Sequence, residues 1–129
     1  VIDNNSNIKK INKIVHPEVR LKMNKFINKN KKKKAIILDI PLLVENRINK
    51  KNDILIFVKA KKKEINKRLK RRYNFNIEIY KKLKKLQLPL EIKKKKSNFI
   101  IKNNFTSRSV KKNVKKVMEK VLLNARSNT

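Results

Sequence analysis

The chain contains no glycine and no cysteine. Without Gly, no glycine-dependent phosphate loop, the P-loop included, lies within these residues, because such loops bring backbone against phosphate where a Cβ would intrude. Without Cys, neither a disulfide nor a thiolate metal site is available. A single His leaves no His cluster for a metal. Aromatics make up 5% of the residues, too few for an evident platform on which single-stranded bases could stack. No apolar run approaches the roughly 20 residues that span a bilayer, so no membrane partner is expected. The opening Val1-Ile2-Asp3-Asn4-Asn5-Ser6 has no apolar segment of the signal-peptide kind, and the cytoplasm is the expected compartment. The chain does not begin with Met, which with the absence of Gly fits a truncated or partial sequence.

Acids are scarce too. Nine Asp and Glu stand against 39 Lys and Arg, for a formal charge of +30. Such a charge invites a nucleic-acid partner. The make-up of the charge argues against a specific one. Of the 39 basic residues 32 are Lys and 7 are Arg, whereas base edges and phosphates favour the bidentate fork of Arg. The Lys excess travels with many Asn and Ile residues, all three with AT-rich codons, so a biased genome accounts for it. A small basic nucleic-acid-binding protein stays as the alternative reading.

The 129 residues suffice for one domain with one modest core. Ile8, Ile11, Ile14 and Val15 recur at helical spacing; Pro17 then interrupts and opens a second helix carrying Val19, Met23, Phe26 and Ile27. Asn28 to Lys34 reads as a basic loop. Ala35 to Ile40 is nearly all apolar, as expected of a strand covered on both faces, and Pro41 stops it. Ile54 to Val58 is a second such run. Lys61 to Arg72 is a basic helix, and Asn76 caps the next one, with Ile77, Tyr80, Leu83 and Leu86 on its inner side. Pro89 opens a short polar helix, Phe99-Ile100-Ile101 is a third strand, and Ser107 or Ser109 caps a last helix with Val110, Val114, Val117, Val121 and Leu122 on its core face. Apolar strands separated by helices predict a parallel sheet with helices on its faces. The Lys runs at 31–34, 61–63 and 93–96 fall at element edges and read as solvated faces.

Few residues bear chemistry. Asp39 and Glu45 bracket a Pro-Leu-Leu turn at the carboxyl end of a strand, where parallel α/β proteins place ligands. Two readings stay open: Asp39 caps a loop and Glu45 pairs with a Lys, or both line a cleft. His16 is either a packing residue or a site residue. Arg68, Arg71 and Arg72 cluster on one helix in a chain that otherwise uses Lys, as a helix facing phosphate would. Asn103, just after a strand, either makes a turn or meets a base edge.

Together these blocks resemble the C-terminal two thirds of dephospho-CoA kinases. His16-Pro17 matches the His-Pro pair that opens a helix in that family. Asp39-Ile40-Pro41-Leu42-Leu43-Val44-Glu45 matches its Asp-Ile-Pro-Leu-Leu-x-Glu block, and Asp53 to Val58 resembles its next strand. Lys67-Arg68-Leu69 with Arg72 is similar to its Gln-Arg-Leu-x-x-Arg helix. Gln87, Pro89, Glu91 and Lys93 match Gln-x-Pro-x-Glu-x-Lys, and Ser97 to Asn103 resembles Ala-Asp-Phe-Val-Ile-x-Asn, with Ser97-Asn98 in place of Ala-Asp.

The resemblance implies an α/β fold: a three-layer, P-loop-kinase-like parallel sheet, incomplete here because the central P-loop strand is absent. Residues 1–129 would form a single incomplete kinase domain, with a helical acceptor-side region at about 6–30 and lid helices at about 61–87. It implies transfer of the ATP γ-phosphoryl to the ribose 3′-hydroxyl of dephospho-CoA, with Mg²⁺ whose P-loop ligand is not in this chain. It makes Arg68 the lid arginine at the transferring phosphate and Arg72 a second lid candidate. His16, Asp39, Pro41, Leu42, Leu43 and Glu45 would line the acceptor pocket, and Asn103 would lie near the adenine. Another nucleoside or nucleotide kinase is the nearer alternative. An oligomeric state does not follow. The chain alone is expected to be inactive.

Overall fold

A computed structural model describes the backbone of residues 5–127 and the side chains of residues 15–124. The order is α1 (Asn5–Asn30), β1 (Ile56–Ala60), α2 (Lys62–Lys70), α3 (Ile77–Lys85), α4 (Leu90–Lys96), β2 (Phe99–Asn103) and α5 (Ser107–Ser127). Contacts group the chain into two units that meet at the Pro41–Leu42 bond.

In the first unit, α1 runs through Pro17 without a break, where two helices were expected. Proline removes one helical hydrogen bond and crowds the preceding turn. Here the helix continues past it for 26 residues in all. Val19, Met23 and Ile27 are half-buried, while Phe26 is exposed. The Ile8, Ile11 and Ile14 side chains lie outside the described residues. The C-terminus is closed by Asn30, whose Nδ2 donates to the Phe26 carbonyl at 2.9 Å. Helix therefore takes the first part of the expected basic loop, and a turn at Lys31 to Lys34 takes the rest.

Ala35 to Ile40 is not a strand. Ile37 is 72% exposed and Asp39 is exposed. The reason is pairing: an apolar run becomes a strand only where another strand accepts its backbone N–H and C=O groups, and no described segment does so here.

The second unit holds a small parallel sheet of two strands, with Ile56 opposite Phe99 and Ala60 opposite Asn103. Side chains alternate across a sheet, so Val58 and Ile101 share one face. Helix α5 packs on β2. Ile101 is 8% exposed and its neighbour Val58 is 56% exposed, so the cover stops at β2. Val117 of α5 completes the buried pair at 9%. Asn113 of α5 donates from Nδ2 to the Lys102 carbonyl at 2.9 Å.

The strands are clipped at their start. The Asn98 amide donates to the Leu55 carbonyl at 2.8 Å, and the Leu55 amide donates to Asn98 Oδ1 at 2.8 Å. Asn98 thus extends the ladder by one reciprocal pair. Asn76 caps α3 as its sequence predicts, accepting on Oδ1 from the Glu78 and Ile79 amides at 2.8 and 3.0 Å. Helix α5 begins at Ser107, ahead of the start that either expected cap would give: the Thr106 carbonyl accepts its first bond, from the Val110 amide at 3.0 Å.

Candidate functional site

The carboxyl ends of β1 and β2 lie side by side, Ala60 against Asn103. Ligands in parallel α/β proteins bind at this end because helices begin and loops converge there. From β1 the chain passes through Lys61 into α2, and from β2 through residues 104–106 into α5. Helix α2 carries Arg68 and closes at Arg71 and Arg72.

Arg68 is brought to the β2 end. Its guanidinium lies 4.1 Å from the centre of the Phe105 ring, within cation–π range. Phe105 in turn donates its amide to Asn103 Oδ1 at 2.8 Å. Arg68 and Asn103, singled out separately in the sequence, are thus joined through one aromatic residue. Asn104 braces the same loop, its Oδ1 accepting from the Thr106 amide at 3.2 Å and from Thr106 Oγ1 at 2.8 Å. Arg68 is exposed and Asn103 half-buried, as a contact site requires. Arg72 is exposed beyond the end of α2, which stops at Lys70 and not at Arg72 as expected.

Glu45 has a different setting. Its Oε1 accepts the Leu88 amide at 2.9 Å and pairs with Lys93 Nζ at 2.6 Å. Both side chains are largely buried, Glu45 at 10% exposure and Lys93 at 19%. Burial pushes the Glu45 carboxyl up, but the Lys93 hydrogen bond, backbone amides and the Lys93 charge together outweigh it and hold the carboxyl below its ordinary value. Of the two readings open for Glu45, the structure shows the ion pair with a Lys, Lys93. Leu42 and Leu43 are half-buried in the turn that presents it. That turn is tight: Leu42 has φ 54° and Arg47 φ 49°, and the Leu42 carbonyl accepts from the Asn46 amide at 3.0 Å. Left-handed φ at such residues is uncommon and marks a conformation enforced by its surroundings.

His16, half-buried on α1, and Asp39 and Pro41, both exposed, belong to the first unit. Among the described residues no group of three or more His, Asp or Glu could hold a metal.

Phe105, Lys93 and Asn104 escaped the sequence reading as site residues. Asn103-Asn104 after a strand signals a turn, and an aromatic set directly behind it is the one local cue to Phe105. Lys93 sat inside a run of four Lys that otherwise reads as a solvated face.

A family model described as dephospho-CoA kinase matches residues 1–109. A dephospho-CoA kinase of Fusobacterium nucleatum is 34% identical over 122 residues, 94% of this chain and 62% of that protein. One of Bacillus anthracis is 34% identical over 114 residues, 85% of this chain and 56% of that protein. One of Wolbachia pipientis wMel is 33% identical over 120 residues, 92% of this chain and 61% of that protein. The chain spans between 56% and 62% of the length of these relatives.

Proposed function

This chain belongs to the dephospho-CoA kinase family, and on that premise we propose that it serves transfer of the ATP γ-phosphoryl group to the ribose 3′-hydroxyl of dephospho-CoA. The observation that carries the reading is the meeting of Arg68 and Asn103, through Phe105, at the carboxyl end of the parallel sheet.

The 3′-hydroxyl oxygen forms the new P–O bond while the bond from the γ-phosphorus to the β–γ bridging oxygen breaks. ADP departs with that electron pair, and the hydroxyl proton is lost. Such transfers depend on positioning and charge neutralisation. Arg68 supplies both, since a guanidinium edge offers paired donors to equatorial phosphate oxygens together with a positive charge. Arg72 assists from just beyond the end of α2. Asn103 offers an amide to the adenine edge. Leu42 and Leu43 belong to the acceptor side, with Glu45 holding their turn in shape through Lys93. ATP and dephospho-CoA are the partners of this reading, and the cytoplasm its compartment. Mg²⁺ would supply further neutralisation of the phosphates from ligands beyond the described residues.

The three-layer sheet with a P-loop strand at its centre belongs to the same proposal. It is supported by the open side of β1, where Ile54, Ile56 and Val58 are 43%, 38% and 56% exposed. A strand added there would bury them. With no Gly in the chain, the loop that cradles ATP phosphates must come from elsewhere, so the 129 residues alone are expected to be inactive.

The test is to incubate the chain with ATP, Mg²⁺ and dephospho-CoA, alone and together with the part of the Fusobacterium nucleatum relative that it does not cover. CoA is expected only in the mixture, and Arg68→Ala should abolish it while the fold persists. Turnover unaffected by Arg68→Ala, or ATP that leaves the NMR signals of Arg68 and Asn103 unmoved, overturns the reading.

A further inference from the structure

The outer face of α5 is a row of cations that phosphoryl transfer leaves unused. Arg108, Lys111, Lys112, Lys115 and Lys116 are all exposed. Three, four, seven and eight residues apart, they share one side of the helix over about 12 Å of its length. The opposite side packs on β2, where Val117 is 9% exposed and Asn113 bonds the Lys102 carbonyl. Beyond Ser109 the helix also lies outside the residues that the family model matches. The neighbouring Lys-rich helices offset part of their charge: Lys81 pairs with Glu78 on α3, and Lys94 with Glu91 on α4. None of the five α5 cations is ion-paired among the described residues, and Glu119 is the one acid of that helix. Solvated helix faces usually alternate in sign. Here Arg108 and Lys112, Lys111 and Lys115, and Lys112 and Lys116 set like charges one turn apart, which disfavours the helix. An anion lying along the face removes that repulsion.

The chemistry of the face selects among anions. Four of the five cations are Lys, point charges that neutralise phosphates without the fork that reads base edges. Scarce aromatics leave no stacking surface for single strands. A lipid surface needs the apolar side of a basic helix free to enter it, and here β2 takes that side. From Lys111 to Lys116 the cations fan over about 140° of the helix, wide enough to meet phosphates on both rims of a groove. The major groove of B-form DNA admits an α-helix, whereas that of A-form RNA is deep and narrow. We infer that the outer face of α5 is a docking surface for duplex DNA, holding the phosphate backbone without reading sequence. The inference uses none of the residues assigned to phosphoryl transfer and stands or falls apart from that reading.

The experiment follows the fluorescence anisotropy of a short labelled DNA duplex as salt is raised from about 50 to 200 mM. Three proteins are compared. One is the unaltered chain. The second carries Lys111→Gln, Lys112→Gln, Lys115→Gln and Lys116→Gln together. The third carries Lys31→Gln, Lys32→Gln, Lys33→Gln and Lys34→Gln together, and loses the same charge from exposed positions elsewhere. Gln keeps the helix propensity of Lys. Each protein is measured alone and with the uncovered part of the Fusobacterium nucleatum relative, that part by itself serving as the blank, so the result does not hinge on the chain folding unaided. Each phosphate contact contributes about 0.9 to the slope of log affinity against log salt. The expected result is a slope about 3 to 4 shallower in the α5 variant and less than about 1 shallower in the other, with unrelated duplex sequences bound alike. Equal losses in the two variants overturn the inference, because net charge and not the face would then bind. Duplex RNA, the single strand or phosphatidylserine vesicles bound as tightly as the DNA duplex also overturn it, as does a duplex left unbound at the lowest salt.

Discussion

Lys93 Nζ closes on Glu45 Oε1 at 2.6 Å, and the same oxygen accepts the Leu88 amide. One carboxylate oxygen thereby ties the Pro-Leu-Leu turn at residues 41–47 to the segment that opens α4. The two sequence blocks that contain these residues are the two halves of one contact. Their spacing along the chain is a geometric requirement of that contact, whatever else each block does.

Glu45→Ala should damage this node more than the loss of an ordinary surface pair. It leaves the Lys93 ammonium, only 19% exposed, without its partner. Removing one member of a largely buried pair costs about 3 kcal/mol, because the remaining charge stays desolvated. The Leu88 amide should exchange with solvent faster in the variant, read by NMR. Replacing both partners, Glu45→Leu with Lys93→Met, should cost less than Glu45→Ala alone. Equal protection of Leu88 in wild type and Glu45→Ala would show that the node holds nothing.

The same node sets a pH dependence. The Glu45 carboxyl lies lower in the folded chain than in the unfolded one. Its contribution is fully present above the ordinary glutamate value and is lost as pH falls through the lowered folded value. The Leu88 amide resonance should hold steady near neutrality and shift only on acidification, with a midpoint below the ordinary value of 4.5. A midpoint above it would mean that burial outweighs Lys93 and the amides.

What the residues disclosed was mostly local. Asn76 announces a cap because its partners lie two and three residues on. The α5 core face is legible because helical periodicity needs no distant partner, and Val117 is buried as that period predicts. Ile56 to Ala60 and Phe99 to Asn103 become strands where two apolar runs find each other. Ala35 to Ile40 has the same composition and no neighbour, and composition cannot report a missing partner. In the site, Arg68 stood out because Arg is scarce. Phe105 did not, because its place rests on a backbone angle and a contact from its loop to helix α2.

Asn98 offers a test of whether a departure from the family pattern matters. Its Oδ1 accepts the Leu55 amide at 2.8 Å, a job an Asp carboxylate does equally well. Asn98→Asp should therefore preserve protection of the Leu55 amide against exchange. Asn98→Ala should lose about 1 kcal/mol of that protection, the usual worth of one hydrogen bond. If Asn98→Asp loosens Leu55 as much as Asn98→Ala, the residue is tuned for neutrality and the swap is not benign.

Exposed apolar surface makes the last prediction. Among the described residues only Ile101 and Val117 are buried, while β1 leaves Val58 56% exposed on the face where α5 covers its neighbour. Two strands with one helix on half a face bury little, and such a sheet is marginal by itself. Apolar patches of this kind bind dyes and partners. The 129-residue chain alone should retain helix by circular dichroism, melt without a sharp transition, and bind the apolar-surface dye ANS. Val58→Lys should reduce dye binding and self-association without lowering helix content, because position 58 is 56% exposed on the open part of that face. Adding the uncovered part of a relative should suppress dye binding and sharpen the melt, since a strand seated on β1 buries Ile56 and Val58 together. A cooperative melt of the chain alone, with no dye bound, would mean that β1 needs no further strand.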